Sequence, residues 1–269
     1  MNAGWNFCNF TLQAVFCANE QIIYFSRCDE SFAMEKCGIS HQGLVRTKNE
    51  DRYLIKELPG DAFLLAVADG MGGRAGGEVA AQLTVDSLSL FAMQTGDTAR
   101  QLGRQVLAAN ETVSLKARSE KSLKGMGCTV TAAVLQQDQM SWTQVGDSRL
   151  YLFRNSELRQ LTTDHNIAQL MVELGEISRK DAAASPFRHI LNQCVGQPDC
   201  RPAIGREALE PGDIVMLCTD GLHGSITDTL IAMYLGQKEA LQKKADGLIK
   251  KVLRSGGRDN VTIVLAAVE

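Results

Sequence analysis

Ala66-Val67-Ala68-Asp69-Gly70-Met71-Gly72-Gly73-Arg74-Ala75-Gly76-Gly77 is the stretch on which the fold of this chain turns. An apolar run, Phe63 to Ala68, stops at a carboxylate; glycines follow, and then a helical pattern sets in. A carboxylate at the mouth of a buried strand is costly unless a positive charge neutralises it. The flanking glycines let the backbone turn with φ > 0 or approach closely, so a main-chain carbonyl can serve the same cation. A plain strand-to-helix turn with a chance Asp is one explanation. Nucleotide binding is another, because Gly70 to Ala75 fits G-x-G-x-x-A. In that case Asp69 would face a pyrophosphate, and residues 98–118 have a helical pattern where the nucleotide fold needs a strand. A metal site is the third, and it requires more carboxylates at other strand ends.

Working outward, Cys37 to His41, Arg52 to Lys56 and Phe63 to Ala68 have strand patterns, the last two joined by a Pro59-Gly60 turn. Downstream, Arg74 to Met93 is expected to be a helix with Val79, Leu83 and Leu90 on one face. A second helix is expected across 98–118, with Leu102, Val106, Ala109, Val113 and Ala117 on its apolar side. From Gly127 the period changes: Cys128 to Leu135, Ser141 to Val145, Leu150 to Phe153 and 157–161 are short strand-like runs. Asn166 to Leu174 is a short helix with Asp164 or Asn166 as its cap, and 175–188 is expected to be an irregular, mobile flap. Asp213 to Thr219 is a buried strand ending in Asp220-Gly221; helices at 227–235 and 238–254 and a strand at 261–268 complete the chain. Strand runs broken by helix pairs imply an α+β fold. The expected form is a β-sandwich of two antiparallel sheets flanked by pairs of α-helices, in four α-β-β-α layers.

The 269 residues are 45% apolar and 22% charged, and 28 basic against 31 acidic residues give a net charge of −3. That composition suits one globular domain of about 230 residues plus an extension. Near-neutral charge argues against nucleic acid as a partner, and no run approaches the ~18 apolar residues of a membrane span, so no membrane association is expected. Eight cysteines, at 8, 17, 28, 37, 128, 194, 200 and 218, include no C-x-x-C pair, which disfavours zinc. A reducing, cytoplasmic compartment and a monomer are the expectations. Residues 1–33, with Trp5 and several phenylalanines and cysteines, lack the layout of a secretion signal; Gln21 to Phe25 is their one strand-like run. They form an N-terminal extension of unassigned role, with disorder one outcome and an upstream start before Met34 another. The domain proper is 34–269.

The further carboxylates are present. Asp69-Gly70, Gly146-Asp147, Asp220-Gly221 and Gly257-Arg258-Asp259 all set an acidic residue beside glycine at the edge of an apolar strand, and Glu50-Asp51 precedes another. Carboxylates gathered without matching basic residues repel one another unless cations lie between them. Oxygen ligands alone favour Mg²⁺ or Mn²⁺.

With Arg46-x-x-Asn49-Glu50-Asp51, Asp69-Gly70-Met71-Gly72-Gly73, Gly127-Cys128-Thr129, Gly146-Asp147-Ser148-Arg149, Thr219-Asp220-Gly221 and Arg258-Asp259-Asn260 in this order, the chain resembles the metal-dependent protein serine/threonine phosphatases of type 2C. The resemblance runs over about residues 37–268, and the Asp-Gly-Met-Gly-Gly form is similar to the bacterial branch. It implies hydrolysis of phosphoserine and phosphothreonine, left by a serine/threonine kinase on protein substrates, through a metal-activated water. It further implies that Asp69 bridges two Mn²⁺ or Mg²⁺ ions. Glu50 and the Gly70 carbonyl would bind one ion, and Asp220 and Asp259 the other; Asp147 would serve a third, weaker site. Arg46 would grip the phosphate, Asp51 and Asn260 would orient ligands and water, and Arg46, Asp69, Asp220 and Asp259 would form the catalytic set.

Met71 stands where eukaryotic members have a His that can serve as the acid, so the leaving group's proton would come from water. His165 is a substitute only if it is not simply bonded near a helix start. Gly224 replaces a frequent Asp, which weakens the third site, and His41 replaces another. Two other functions fit the same residues: a catalytically silent phosphoprotein-binding relative, and a two-metal hydrolase of small phosphate esters.

Overall fold

The computed structural model describes residues 6–7, 10–17, 20–27, 34–71 and 76–269. The chain divides into two units, Met1–Phe32 and Ala33–Glu269. In the first, β1 (Asn6–Phe7), β2 (Phe10–Cys17) and β3 (Glu20–Arg27) form an antiparallel sheet in that order. The run Gln21 to Phe25 lies within β3, but β2 is a strand that the sequence reading did not include. Its Phe10, Leu12, Ala14 and Phe16 do alternate, the period of a strand.

The second unit opens with β4 (Met34–His41), β5 (Arg52–Leu58), β6 (Ala62–Ala68) and the short β7 (Gly70–Met71). Helices α1 (Gly77–Ser89) and α2 (Thr98–Ser119) follow. Next come β8 (Gly127–Cys128), β9 (Val130–Gln136), β10 (Gln139–Val145), β11 (Arg149–Arg154) and β12 (Glu157–Gln160). After α3 (Ile167–Glu173) and α4 (Arg179–Ala184) stand β13 (Ala203–Ala208) and β14 (Ile214–Cys218). The chain ends with α5 (Asp220–His223), α6 (Asp228–Leu235), α7 (Leu241–Arg254) and β15 (Val261–Val268). Two five-stranded antiparallel sheets result, in the orders β13-β10-β9-β6-β5 and β12-β11-β14-β15-β4. Helices α1 and α2 cover the first sheet, α6 and α7 the second, and the sheets face each other.

This layering explains why the central strands are apolar throughout instead of alternating. On β6, Leu64, Ala66 and Ala68 join the core under α1 and α2 with Val85, Leu88 and Val106. Leu65 and Val67 point the opposite way and are fully buried, as are Val215, Leu217 and Val264 on the second sheet. Both faces are covered, so both must be apolar. Each such Leu or Val stabilises the fold by about 1.5–3 kcal/mol relative to leaving it exposed.

Three expectations need correction. The first helix starts at Gly77 among the described residues, and Gly72 to Ala75, with the expected start at Arg74, lie outside them. It also ends at Ser89, where the chain turns so that Leu90 is exposed and Phe91 buried. Residues 175–188 are not irregular: they hold α4 and a 3-10 turn, Pro186–His189. Ser178 caps α4, accepting from the Asp181 N–H at 3.2 Å, the Ala-rich interior favours helix, and Pro186 ends it. Strand β13 gave no signal because Gly205, Arg206 and Glu207 are weak strand formers. It forms by pairing with β10, where Gly205 sits opposite Trp142; a Cβ at Gly205 would lie 2.2 Å from the indole. Among the described residues, no helix is long and apolar enough to cross a membrane.

Candidate active site

The strand register gathers the carboxylates. In the first sheet Arg52 pairs with Ala68, Val67 with Thr131, and Val130 with Val145. In the second, Arg149 pairs with Cys218, Cys218 with Ile263, and Val261 with His41. The Gly146-Asp147-Ser148 turn joins β10 of one sheet to β11 of the other, so these strand ends lie at the same end of the sandwich. Glu50, Asp69, Gly70, Asp147, Asp220 and Asp259 all sit just beyond such ends. With Arg46, they line one cleft of about 820 Å³.

Asp69 occupies the break between β6 and β7, where the chain leaves the first sheet to pair with β8. Thr129 clamps that break: the Asp69 N–H donates to Thr129 Oγ1 at 3.1 Å, and the Thr129 N–H donates to the Asp69 carbonyl at 2.9 Å. Thr129 Oγ1 also lies 2.7 Å from Ser148 Oγ, which ties the Asp69 turn to the Asp147 turn. Gly70 is required by contact. A Cβ there would lie 2.3 Å from the Gly77 carbonyl oxygen and 2.7 Å from that of Glu50.

The Arg46–Asp51 loop is held from the far side. Asn260 Oδ1 accepts the Glu50 N–H at 2.9 Å, and Asn260 Nδ2 donates to the carbonyls of Gln42 and Lys48, each at 2.8 Å. Buried Asp51 accepts at Oδ2 from Thr219 Oγ1 at 2.9 Å and Thr262 Oγ1 at 2.7 Å, linking the loop to β14 and β15. Arg46 is half-exposed and donates from Nη2 to Asp259 Oδ2 at 2.8 Å.

Electrostatics test whether cations fit. Burial, then Asp51, Asp220, Asp147 and Asp259, hold the Asp69 carboxyl well above the usual range. Burial and Asp220 do the same to Asp147; burial and Asp259 raise Asp220; burial lifts Asp51 to about 7 despite its hydroxyl partners. The buried oxygens Asp51 Oδ1 and Asp220 Oδ1 have no hydrogen-bond partner among the described residues. Carboxylates that resist ionisation together, with orphaned oxygens and no cysteine or histidine ligand set, suit divalent cations that prefer oxygen. Among the described residues no three such side chains are closed around one point, and Asp259 is engaged by Arg46. The chemistry of the donor set nevertheless fits oxygen-ligated divalent ions.

Every site residue expected from the sequence reaches the cleft or braces it, including Asp51 and Asn260. Met71 lines the cleft as well. His165 does not: its Nδ1 accepts from the Gly146 N–H at 3.4 Å, the structural bond near a helix start. His189, from the turn after Pro186, does line the cleft and was missed. A lone histidine in a loop carried no sequence signal. His223 is likewise unforeseen. Its Nε2 lies 3.1 Å from the Asp147 carbonyl, and burial, with Arg149 beside it, lowers its pKa to about 3.

These shifts predict an uncommon pH dependence. Carboxyls raised in the fold bind protons that the unfolded chain releases, so they destabilise as pH rises through their folded pKa values. Lowered His165 and His223 act oppositely, but only below their ordinary 6.5. Between pH 6.5 and 8 the carboxyls dominate, with Asp51 at about 7 titrating inside that window, and the buried thiols, raised from 9.0, add a smaller loss of the same sign only towards its upper end. Metal-free protein should lose roughly 3 °C or more of Tm across it. Saturating Mn²⁺ should flatten the slope, because cations displace protons from the ligand carboxyls and offset the negative charge of Asp220 and Asp259 that helps to raise Asp51. Melting curves with chelator and with Mn²⁺ check this; a flat metal-free profile would contradict the repulsive cluster.

The chain matches the family model described as Protein phosphatase 2C over residues 37–260. It is 37% identical over 231 residues to the serine/threonine protein phosphatase PstP of Mycobacterium tuberculosis, covering 85% of this chain and 44% of that one. The chain thus spans less than half of that relative's length. To the serine/threonine phosphatase stp of Listeria monocytogenes it is 36% identical, covering 83% of this chain and 92% of the relative. A solved structure of the PstP catalytic domain in complex with two manganese ions superposes with a TM-score of 0.78 at 34% identity, covering 87% of this chain and 98% of that one.

Proposed function

The chain belongs to the protein phosphatase 2C family, and on that premise we propose that it is a metal-dependent phosphatase of phosphoserine and phosphothreonine in proteins. The observation that carries this is the convergence of Glu50, Asp69, Asp147, Asp220 and Asp259 on one cleft that Arg46 also lines. Asp69, with Glu50 and the Gly70 carbonyl on one side and Asp220 and Asp259 on the other, would hold two Mn²⁺ or Mg²⁺ ions. When bound, such a pair supplies Lewis acidity that deprotonates water near neutral pH and neutralises phosphoryl charge. Asp147 shares a second, smaller cavity with Asp220 and Gly224, and with no carboxylate at 224 it would hold a third ion weakly.

The protein's own groups bind and orient. Arg46 exchanges its contact with Asp259 for two phosphate oxygens, which its planar fork matches. Thr129 and Asn260 fix the two turns that carry Asp69 and Glu50, so the ligands meet the substrate already placed. Met71 has no proton to give, and the leaving alkoxide takes one from cleft water. The substrates on this account are products of serine/threonine kinases, met by a cytoplasmic monomer. No observation favours a silent relative or a small-ester hydrolase, since no inferred ligand is missing.

Arg46→Ala separates substrate grip from metal binding. Removing one charged fork should raise KM for a phosphothreonine peptide about tenfold or more. Metal affinity, read by calorimetry, should hold or tighten because Asp259 loses a competing partner. Collapse of metal binding with unchanged KM would reassign Arg46 to the metal site.

A further inference from the structure

We propose that Arg179, Arg188 and His189 form a subsite for acidic residues, Asp or Glu, that flank the phosphorylated residue of a protein substrate. The inference rests on the phosphatase function above and adds a sequence preference to it.

All three side chains line a cavity of about 260 Å³ beside the carboxylate cleft, and the two spaces share Asp147, His189 and Asp220. The two spaces adjoin, so a residue flanking a phosphate held in the cleft is within reach of this cavity. Arg179 begins α4, while Arg188 and His189 end the 3-10 turn that follows. All three are exposed, and neither α4 nor the turn buries a residue, so this face of the segment is open. The basic edge is partly ordered: Arg188 Nη1 donates to the Ala183 carbonyl at 2.7 Å, and Nε donates to His189 Nε2 at 2.9 Å.

The charges leave a positive rim. Arg149, on the cavity floor, is held by both oxygens of Asp164, at 2.8 and 2.7 Å. Asp181 on α4 accepts from Ser178 Oγ at 2.6 Å and does not line the cavity. Asp147 and Asp220 belong to the proposed ion-binding set, which cations neutralise. Arg179 and Arg188 make no ion pair among the described residues. Two guanidinium groups on an open wall match carboxylates in charge and planar geometry, and the His189 ring, whose Nε2 accepts from Arg188, adds a hydrogen-bonding edge beside them. Solvent-exposed pairs are individually weak, so each arginine should contribute a few-fold and be screened by salt.

The test uses the full chain with Mn²⁺ and two phosphothreonine peptides that differ only in flanking Glu or Gln. The Glu peptide should have a kcat/KM about fivefold higher at low salt, falling towards parity near about 0.5 M salt. The Arg179→Ala/Arg188→Ala double variant should lose the preference, and the corresponding Lys variant should keep part of it. A second readout is fluorescence anisotropy of the same peptides without phosphate, labelled. The Glu form should bind more tightly than the Gln form only with Mn²⁺ present, and the double variant should erase that difference. Equal use of both peptides, or a preference that survives in the double variant, overturns the subsite. If neither phosphopeptide is hydrolysed, the phosphatase assignment fails, and the anisotropy comparison alone decides whether the surface binds acidic segments.

Discussion

Asp69→Asn should lower kcat by on the order of 10³-fold or more, equivalent to about 4 kcal/mol of barrier. A neutral amide is a poor bridge between two divalent cations, and Asp69 is the residue proposed to serve both. The same variant should fold at least as well as the wild type. Burial and its acidic neighbours already disfavour the ionised form of Asp69, so Asn closely mimics the protonated group that the metal-free fold prefers. Loss of turnover with an undiminished metal-free Tm therefore separates a metal-site role from a structural one. Retention of a tenth of wild-type activity would exclude Asp69 as the bridge. Asp220→Asn and Asp259→Asn each leave the bridge in place and should be partly rescued by high Mn²⁺.

Asn260→Ala should be the next most damaging change, through position and not through chemistry. It removes the acceptor of the Glu50 N–H and both donors to Gln42 and Lys48, leaving three backbone groups without their partner. At ~1 kcal/mol for each lost bond, stability should fall by about 3 kcal/mol. The released loop carries Arg46 and Glu50 together. Misplacing reacting groups by about 1 Å can cost on the order of 10²-fold, and we expect a loss of that size in kcat/KM. Metal affinity should weaken with it, since Glu50 moves. An Asn260→Ala protein within threefold of wild-type kcat/KM would show that the loop is held elsewhere.

The sandwich was legible because its central strands are apolar on both faces. Ala62–Ala68 and Ile214–Cys218 are unbroken runs, and the helices between them show a clear period. The cleft was legible for a related reason: an acidic residue beside glycine at a strand end is conspicuous against such runs, and register then collects the ends. What the pattern concealed was structure made by tertiary contact. Strand β13 exists because Gly205 admits Trp142, a fact about a neighbour 63 positions away that no local window contains. Helix α4 was hidden in a stretch whose Ala and Ser suggested a loop, although Ser178 and Asp181 supply its cap. His189 reaches the cleft only because the turn after Pro186 folds back over it, and a single histidine has no periodicity to betray it.

The most direct measurement is phosphate release from a phosphothreonine peptide by the purified full chain, with Mn²⁺, with Mn²⁺ plus chelator, and with Asp69→Asn. The account predicts turnover only in the first case, loss on chelation restored by excess Mn²⁺, and at most about a thousandth of that rate in the variant. Release that persists in chelator, or that survives in Asp69→Asn, would contradict a carboxylate-held ion pair as the centre of this protein's chemistry.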